Sequence, residues 1–316
     1  MTGPHPPAPD WYPRDLRGYC GSPPDPQWPG GARVALQFAL NLEEGAERTP
    51  LNGDEETETY LNELPPGTPR RGGARHPGVE SLFDYGTRAG FWRILRLFRE
   101  HGLPLTAFVC GRSLELVPEA GRALAADGHE LAGHGYRWID HSAVSAAVEA
   151  EQIAKTVDLI ARIAGRRPVG WYSGRSSANT RGLLIAAGGF LYDSDSYSDD
   201  LPYWLSFSSG PHLVVPYALD TNDARYYLAP GFASGRDFFA YLRDALAYLR
   251  REAECGAKKM MSVGLHGRIT GRPARAAALA RFLEHLRRCP DVWVCRREEI
   301  ARHWIAAHPP ARQTDV

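Results

Sequence analysis

The sequence predicts a (β/α) barrel, with an open doubly wound sheet as the alternative. Three observations carry this. Strand-sized apolar runs alternate with helix-patterned segments about eight times over roughly 270 residues, the signature of a parallel sheet. No Gly-x-Gly-x-x-Gly follows the first strand, which removes the usual fingerprint of the open alternative. Finally, polar residues suited to chemistry recur where strands end, and barrels carry their sites at the C-terminal ends of strands.

The elements follow in order. Residues 1–31 are rich in Pro and Gly and read as an irregular arm over the surface. "RVALQFALNL" (33–42) is a buried strand. "GTRAGFWRILRLFREHG" (86–102) has helical apolar spacing at Phe91, Ile94, Leu95 and Phe98 and is closed by Gly102. "PLTAFVC" is a strand, "LVPEAGRALAADG" a helix and "HELAGH" a strand. A long helix, "SAVSAAVEAEQIAKTVDLIARIAG", begins with Ser142 near its N-cap. "RPVGWYS", "NTRGLLIAAGG" and "FLYDSD" repeat the unit. "HLVVPY", "DFFAYLRDALAYLRREAE", "KKMMSVGLH", "PARAAALARFLEHLRR", "DVWVC" and "REEIARHWIAAH" complete it. No short internal repeat and no clean linker interrupts the series, so residues 1–316 are expected to form one domain. Between the first strand and its helix lie about 40 polar, turn-rich residues, with 45–80 as the inserted loop. A loop of that length is expected to close over a site or build a subunit contact.

Composition narrows the function. The chain has 316 residues with 43% hydrophobic content, enough to bury a large core. Lys+Arg and Asp+Glu stand at 37 each, which gives no reason to expect a nucleic-acid or membrane partner. The five cysteines include no Cys-x-x-Cys pair, which argues against a disulfide framework and a zinc–thiolate site and fits a reducing compartment. The N-terminal residues lack an apolar signal region, and the apolar runs are strand-sized. A cytoplasmic location is expected.

The chemistry collects at the strand ends. Strand one ends in "NLEEG", giving Glu43 and Glu44. "GHELAGHGYRWIDH" gives His134, with Trp138 where a second histidine one helical turn on would stand. Later strands give Arg175 in "WYSGR", Asp193 and Asp195 in "YDSD", Asp220, Asn222 and Asp223 in "LDTND", and His266 in "GLHGR". Taken singly, an acidic pair after a strand is commonly a solvated loop, and a lone strand-end histidine is commonly structural. "DSDSYSDD" lacks the Gly and terminal Glu of a calcium-binding loop. The set is stronger than its members: carboxylates, two histidines and an arginine on one rim are the inventory of a hydrolytic site.

These residues resemble the polysaccharide deacetylase superfamily, over about residues 30–305. The resemblance implies a distorted, TIM-like (β/α) barrel. "NLEEG" stands where that superfamily has Thr-Phe-Asp-Asp-Gly, whose first acid acts as base and whose second binds metal. "HGYRW" stands for its metal-binding His-x-x-x-His, "GWYSG" replaces Arg-x-Pro-x-Gly, and "VGLH" meets Leu-x-Leu-His, mapping His266 to the general acid. The departures matter. Each Asp has become Glu, one methylene longer, and Trp138 cannot coordinate a cation, which leaves fewer than the three protein ligands of a catalytic zinc.

The particular variants, "NLEEG", "GHGYRWID", "GWYSGR", "FLYDSDSYSDDLPYW", "PYALDTND" and "GLHGRITGRPARAAALARF", are similar to the bacterial cofactor-independent allantoinases. This narrower resemblance implies metal- and cofactor-free opening of a hydantoin ring, a small-molecule substrate and a homo-oligomer, for which a tetramer is expected. It assigns Glu43 or Glu44 as base, His134 as a polar site residue and His266 as acid. Trp138, Tyr172, Arg175, Asp195, Asn222, Asp223 and Arg272 are expected around the substrate, with Arg268 the alternative to Arg272 for a substrate carbonyl. The rivals are a metal-dependent carbohydrate N-deacetylase, a hydrolase of another cyclic amide or imide, and a catalytically silent binding protein on the same fold. Retention of the base–acid set argues against the last.

Overall fold

The structure, a computed structural model, describes residues 14–64 and 74–310. The first strand, β1 (Val34–Leu42), is buried along its whole length. Its side chains alternate between two environments, as the strand period of two requires. Val34, Leu36, Phe38, Leu40 and Leu42 pack outward with helix residues such as Phe91, Ile94, Phe98 and Phe282. Ala35 and Ala39 face inward, against Tyr192 and against Phe108, Tyr172 and Tyr217 respectively. Gln37 and Asn41 share that inner parity, and so does Glu43 just beyond the strand. The inward residues shift from small and apolar to polar as the strand rises toward its C-terminal end.

After β1 come α1 (Pro77–Tyr85), a five-residue π-helical turn at Gly86–Gly90 and α2 (Phe91–His101). Burial of Phe91, Ile94, Leu95 and Phe98 anchors α2, each contributing on the order of 1.5–3 kcal/mol. Gly102 closes it in the left-handed conformation, as expected. Next are β2 (Thr106–Val109), α3 (Gly111–Leu116), α4 (Pro118–Ala126), β3 (Glu130–Gly133), α5 (Ala146–Ala164), β4 (Gly170–Trp171), α6 (Thr180–Ala187) and β5 (Tyr192–Asp193). The series ends with β6 (Tyr203–Phe207), β7 (Gly210–Val214), α7 (Gly235–Glu254), β8 (Lys259–His266), α8 (Pro273–Leu286), β9 (Val292–Val294) and α9 (Arg297–Ala307).

The sheet runs β6-β7-β5-β4-β3-β2-β1-β8, and β9 also pairs with β1. All pairs are parallel except the β6–β7 hairpin. β9 takes the first residues of β1 and β2 its last. The two ends of the curl meet through one parallel bridge, Asn222 to Gly264. The result is a distorted α/β barrel, as expected. Arg297, fully buried from the start of α9, plugs it from below and donates to Gln37 (2.6 Å), Ser262 (3.0 Å) and the Pro216 carbonyl (2.7 Å).

Several expectations change. The β6 strand was not anticipated, because "YWLSF" is only half-buried and its pairing depends on the turn before Gly210. The helix after the long loop begins at Pro77, not Gly86, with His76 as N-cap. The "LVPEAGRALAADG" helix is α4 alone, broken from α3 at Val117. The long helix is capped by Ser145, which accepts from Val148 N–H, while Ser142 lies in a preceding turn. Of the 45–80 insertion, residues 65–73 lie outside the described residues. The part from 45 to 64 is tied to the "HGYRW" segment: Arg137 donates to the Ala46 and Glu47 carbonyls (both 3.0 Å), and Trp138 N–H donates to Ala46 (2.9 Å). The five cysteines are free. Among the described residues, no helix is long and apolar enough to cross a membrane.

Candidate active site

The site is built on Glu43. Because β1 points its odd residues inward, Glu43 projects into the barrel mouth as soon as the strand ends, and it is 2% exposed. Two histidines converge on Oε1: His134 Nε2 from the end of β3 at 3.2 Å, and His266 Nε2 from the end of β8 at 3.3 Å. Arg268, two residues past His266, brings Nη2 to 2.7 Å from Oε2. Burial pushes the Glu43 carboxyl up. The positive charges of Arg268 and His266 and the hydrogen bonds from both histidines outweigh it and hold Glu43 well below the usual carboxylate range.

Each histidine is fixed from behind. The His134 Nδ1 hydrogen-bonds the Tyr172 carbonyl, an acceptor only, so this nitrogen carries a proton and Nε2 is left to Glu43. The His134 ring also stacks on the Tyr172 ring, 5.2 Å and 11° apart. The Nδ1 of His266 donates to Asp223 Oδ1 at 2.6 Å. Burial depresses the His266 pKa, but the neighbouring Glu43 and Asp223 carboxylates reverse this and raise it to about 9. His266 is therefore an imidazolium at neutral pH.

Glu44 is equally buried yet differently used. Its oxygens accept the backbone N–H of Glu43 (3.2 Å) and of Arg268 (3.3 Å), and its carboxyl approaches neither histidine within ion-pair distance. Burial raises its pKa, against the pull of Arg268. The two adjacent glutamates, equivalent in sequence, are thus separated: Glu43 is the ionised group in the mouth, and Glu44 holds the Arg268 loop.

Arg268 is 2% exposed and rests against two adjoining aromatic rings, 4.7 Å from the Phe83 ring centre and 4.9 Å from that of Trp138. None of its three guanidinium nitrogens has a hydrogen-bond partner among the described residues, and its contact with Glu43 is an ion pair. Trp138 is buried, with the Arg175 guanidinium 4.2 Å from its ring centre and Tyr60 stacked at 6.2 Å. Tyr172 and Tyr217, with ring centres 4.6 Å apart, form the floor. The Tyr217 oxygen accepts from the side-chain amides of Asn41 (3.3 Å) and Asn222 (3.1 Å).

The structure thus brings Glu43, Glu44, His134, His266, Trp138, Tyr172 and Arg175 together at one end of the barrel. Other expected substrate contacts are committed elsewhere. Asp223 is fully enclosed by the His266 N–H and Nδ1 and by Thr270, so it orients His266 instead of meeting substrate. Asn222 caps a short helical turn and braces Tyr217. Asp195 accepts three backbone hydrogen bonds from Ser173 and Gly174. Its pKa, raised to about 6 by burial and by Asp193, belongs to a loop clamp. Arg272 is turned onto the Tyr85 ring at 3.6 Å, 3.8 Å from Glu63, and it is Arg268 that reaches Glu43. The sequence reading missed Glu58, Tyr60, Asn41 and Tyr217. Parity along β1 points to Asn41. No local pattern marks the loop residues.

The fold family implies a metal, and the residues do not fit one. Trp138 fills the position of the second histidine. Glu43 Oε1 already faces both histidines and Oε2 faces Arg268, whose guanidinium sits where a divalent cation sharing that carboxylate would be repelled. Among the described residues no group of three or more His, Cys, Asp or Glu is arranged to hold an ion.

Fold and site together define a hydrolase barrel, and comparison with known proteins supplies the family. Residues 72–188 match the sequence profile of the polysaccharide deacetylase family. A Schizosaccharomyces pombe protein provisionally named a polysaccharide deacetylase is 42% identical, over 94% of this chain and 98% of its own. The chain belongs to the polysaccharide deacetylase family. Among solved structures it is similar to a Pseudomonas aeruginosa PAO1 protein, also provisionally named a polysaccharide deacetylase. The identity is 51% and the TM-score 0.91, over 95% of this chain and 100% of that one. It is similar to the same degree to Puue allantoinase, at 50% identity and TM-score 0.91, over 95% and 99%.

Proposed function

We propose that this protein opens the hydantoin ring of allantoin to give allantoate, by metal-independent attack of water on the cyclic amide carbonyl. The observation that carries the reading is the seat of Arg268: a protein-borne cation, ion-paired with Glu43 and set against Trp138, faces the carboxylate at the centre of the site. The half-identical Puue allantoinase supports the choice of ring.

The steps use this chain's own groups. Glu43, ionised across the neutral range, takes a proton from water as the oxygen attacks the ring carbonyl. The free Nε and Nη1 of Arg268 lie beside that carboxylate and supply donors for the developing oxyanion, an interaction commonly worth a few kcal/mol. The carbon–nitrogen bond then breaks, and His266 gives the Nε2 proton to the departing nitrogen. That nitrogen becomes part of a urea group, which shares its charge with the adjacent carbonyl. A ring amide of this kind needs less Lewis-acid help than the acetamide of a sugar. General acid and base, at about 10²–10⁴-fold each, then suffice beside the oxyanion donor. The same reading assigns a cytoplasmic homo-oligomer with no nucleic-acid or membrane partner.

The test is a substrate panel of allantoin, hydantoin, succinimide and N-acetylglucosamine oligomers, run with and without a chelator. Turnover of allantoin that survives chelation is expected. Activity lost to the chelator and restored by zinc, or release of acetate from the oligomers, would instead support a carbohydrate N-deacetylase, in line with the polysaccharide deacetylase names that two of the relatives carry provisionally.

A further inference from the structure

Outside the Glu43 constellation, one buried pair of opposite charges is left incompletely satisfied at the mouth. Glu58 lies on the long loop and is 5% exposed. Its Oε1 accepts the backbone N–H groups of Thr59 and Tyr60, both at 2.9 Å. Its Oε2 is buried with no hydrogen-bond partner among the described residues. The nearest cation is Arg175, whose Nη2 stands 3.5 Å away, beyond a good hydrogen bond. Arg175 spends Nη2 on the Trp138 carbonyl (2.9 Å), and its Nε is also buried without a partner. A carboxylate oxygen and a guanidinium N–H left unmade at the same place are costly, and such groups in a native fold call for a missing partner.

The position says what that partner is. The Arg175 guanidinium lies on the Trp138 ring, the Tyr60 ring centre is 6.0 Å from it, and Arg268 contacts the same indole. Glu58 and Arg175 therefore sit one tryptophan away from the Arg268–Glu43 centre, on the loop side of the mouth. A free acceptor beside a free donor matches a group that offers N–H and C=O together. A plain hydantoin held at Glu43 has no atoms to spare for it. A ureido substituent, with one carbonyl and N–H groups beside it, does.

We propose that Glu58 and Arg175 form a subsite that binds the ureido arm of the substrate, with Glu58 Oε2 accepting its N–H and Arg175 Nε donating to its carbonyl. The inference rests on the ring-opening function proposed above and adds what selects the substituent. It also gives the long insertion a role: the loop delivers the carboxylate half of the subsite to a barrel that supplies the arginine half.

The experiment measures kcat/KM for allantoin and for unsubstituted hydantoin in the wild type, Glu58→Gln and Arg175→Lys. Only the ratio of the two constants is read, because the fraction of active enzyme cancels and a poorly folded variant stays informative. Wild type should prefer allantoin, and each variant should lower the ratio by about 10- to 100-fold, as the loss of a charged hydrogen bond to one substrate predicts. A ratio unchanged in both variants, with an active wild type, overturns the subsite and leaves the ring-opening function standing. A wild type that opens neither ring overturns both.

Discussion

One carboxylate clamps both the ring and the backbone of His266: Asp223 Oδ1 takes Nδ1–H at 2.6 Å, and Oδ2 takes the main-chain N–H at 2.7 Å. Thr270 adds its hydroxyl to Oδ2 at 2.7 Å. The strand end therefore presents an imidazolium whose direction is fixed on one side by Asp223 and whose other nitrogen faces Glu43, 3.3 Å away. Acid and base are set against each other in one ion pair, which keeps the first protonated and the second ionised over a wide pH range.

The pH profile should follow from that pair. Catalysis needs His266 charged and Glu43 ionised, so kcat/KM should stay level through neutrality and fall as pH rises through about 9. The linkage to stability has the same sign. A histidine raised from its unfolded value near 6.5 contributes fully below that pH and loses its contribution as pH climbs through about 9. Asp223→Asn keeps an acceptor for Nδ1 but removes the negative charge, so the alkaline limb should move down by about one unit or more. A limb that stays in place would assign it to some other group.

The two glutamates should separate under substitution. Glu43→Gln removes the carboxylate that touches both histidines and should cost about 10²–10⁴-fold in kcat/KM. The Glu43 and Arg268 N–H groups donate to different oxygens of Glu44, so in Glu44→Gln the amide oxygen keeps one of these two bonds, and the raised pKa of Glu44 already moves it toward the neutral form that Gln imitates. That loss should stay within about tenfold, well below the size of an acid–base contribution. Equal losses in the two variants would mean that the structure has sorted them wrongly.

The fold was legible because β1, β2, β3 and β8 are strand-length runs buried along nearly their whole length, while α2, α7 and α8 bury residues at helical spacing. The half-buried β6 was not, since an exposed strand leaves little pattern and owes its pairing to a turn. In the site, residues that end a strand were readable: Glu43, His134 and His266. Whether a polar residue beyond them meets substrate or meets a neighbour depends on loop geometry, which no local pattern encodes. Asp223 is taken up by His266 and Arg272 by Tyr85 for that reason, while Arg268 comes to Glu43, and Glu58 and Tyr60 come to Arg175 and Trp138.

Restoring the missing histidine should not restore a metal centre. Trp138→His would complete the His-x-x-x-His spacing, yet Arg268 would keep its place 2.7 Å from Glu43, and the indole face shared by both guanidiniums would be gone. Activity on the cyclic substrate should fall by about tenfold or more, the scale expected when positioning at a reacting centre is loosened. Purified protein should contain no stoichiometric zinc, and added zinc or cobalt should not recover the loss. Tight zinc uptake with recovered turnover would show that Arg268 yields its place to an ion.

The last prediction concerns how Arg268 is held. The π-helical turn ahead of α2 and the loop after β8 meet backbone to backbone. A Cβ on Gly90 would fall onto the Gly267 carbonyl, and one on Gly271 would fall onto that carbonyl and the Gly90 main chain. These neighbours are backbone atoms in two packed segments, so they cannot swing aside as a side chain would. The Gly271 carbonyl is also tied to Arg93 and, at 3.3 Å, to the Tyr85 hydroxyl. Gly271→Ala must push the loop off the π-helical turn, and the displacement reaches Arg268 three residues upstream. A shift of about 1 Å at a reacting centre can cost on the order of 10²-fold, so kcat/KM should fall by about that amount. A loosened ion pair should also let the acid limb governed by Glu43 move to higher pH, since Arg268 is the largest influence holding that carboxyl down. Gly182→Ala, in α6 with open space around it, is the control and should stabilise by about 0.5–1 kcal/mol without touching activity. If Gly271→Ala lowers the melting temperature but leaves kcat/KM and the acid limb unchanged, the seam supports the fold alone and does not position Arg268.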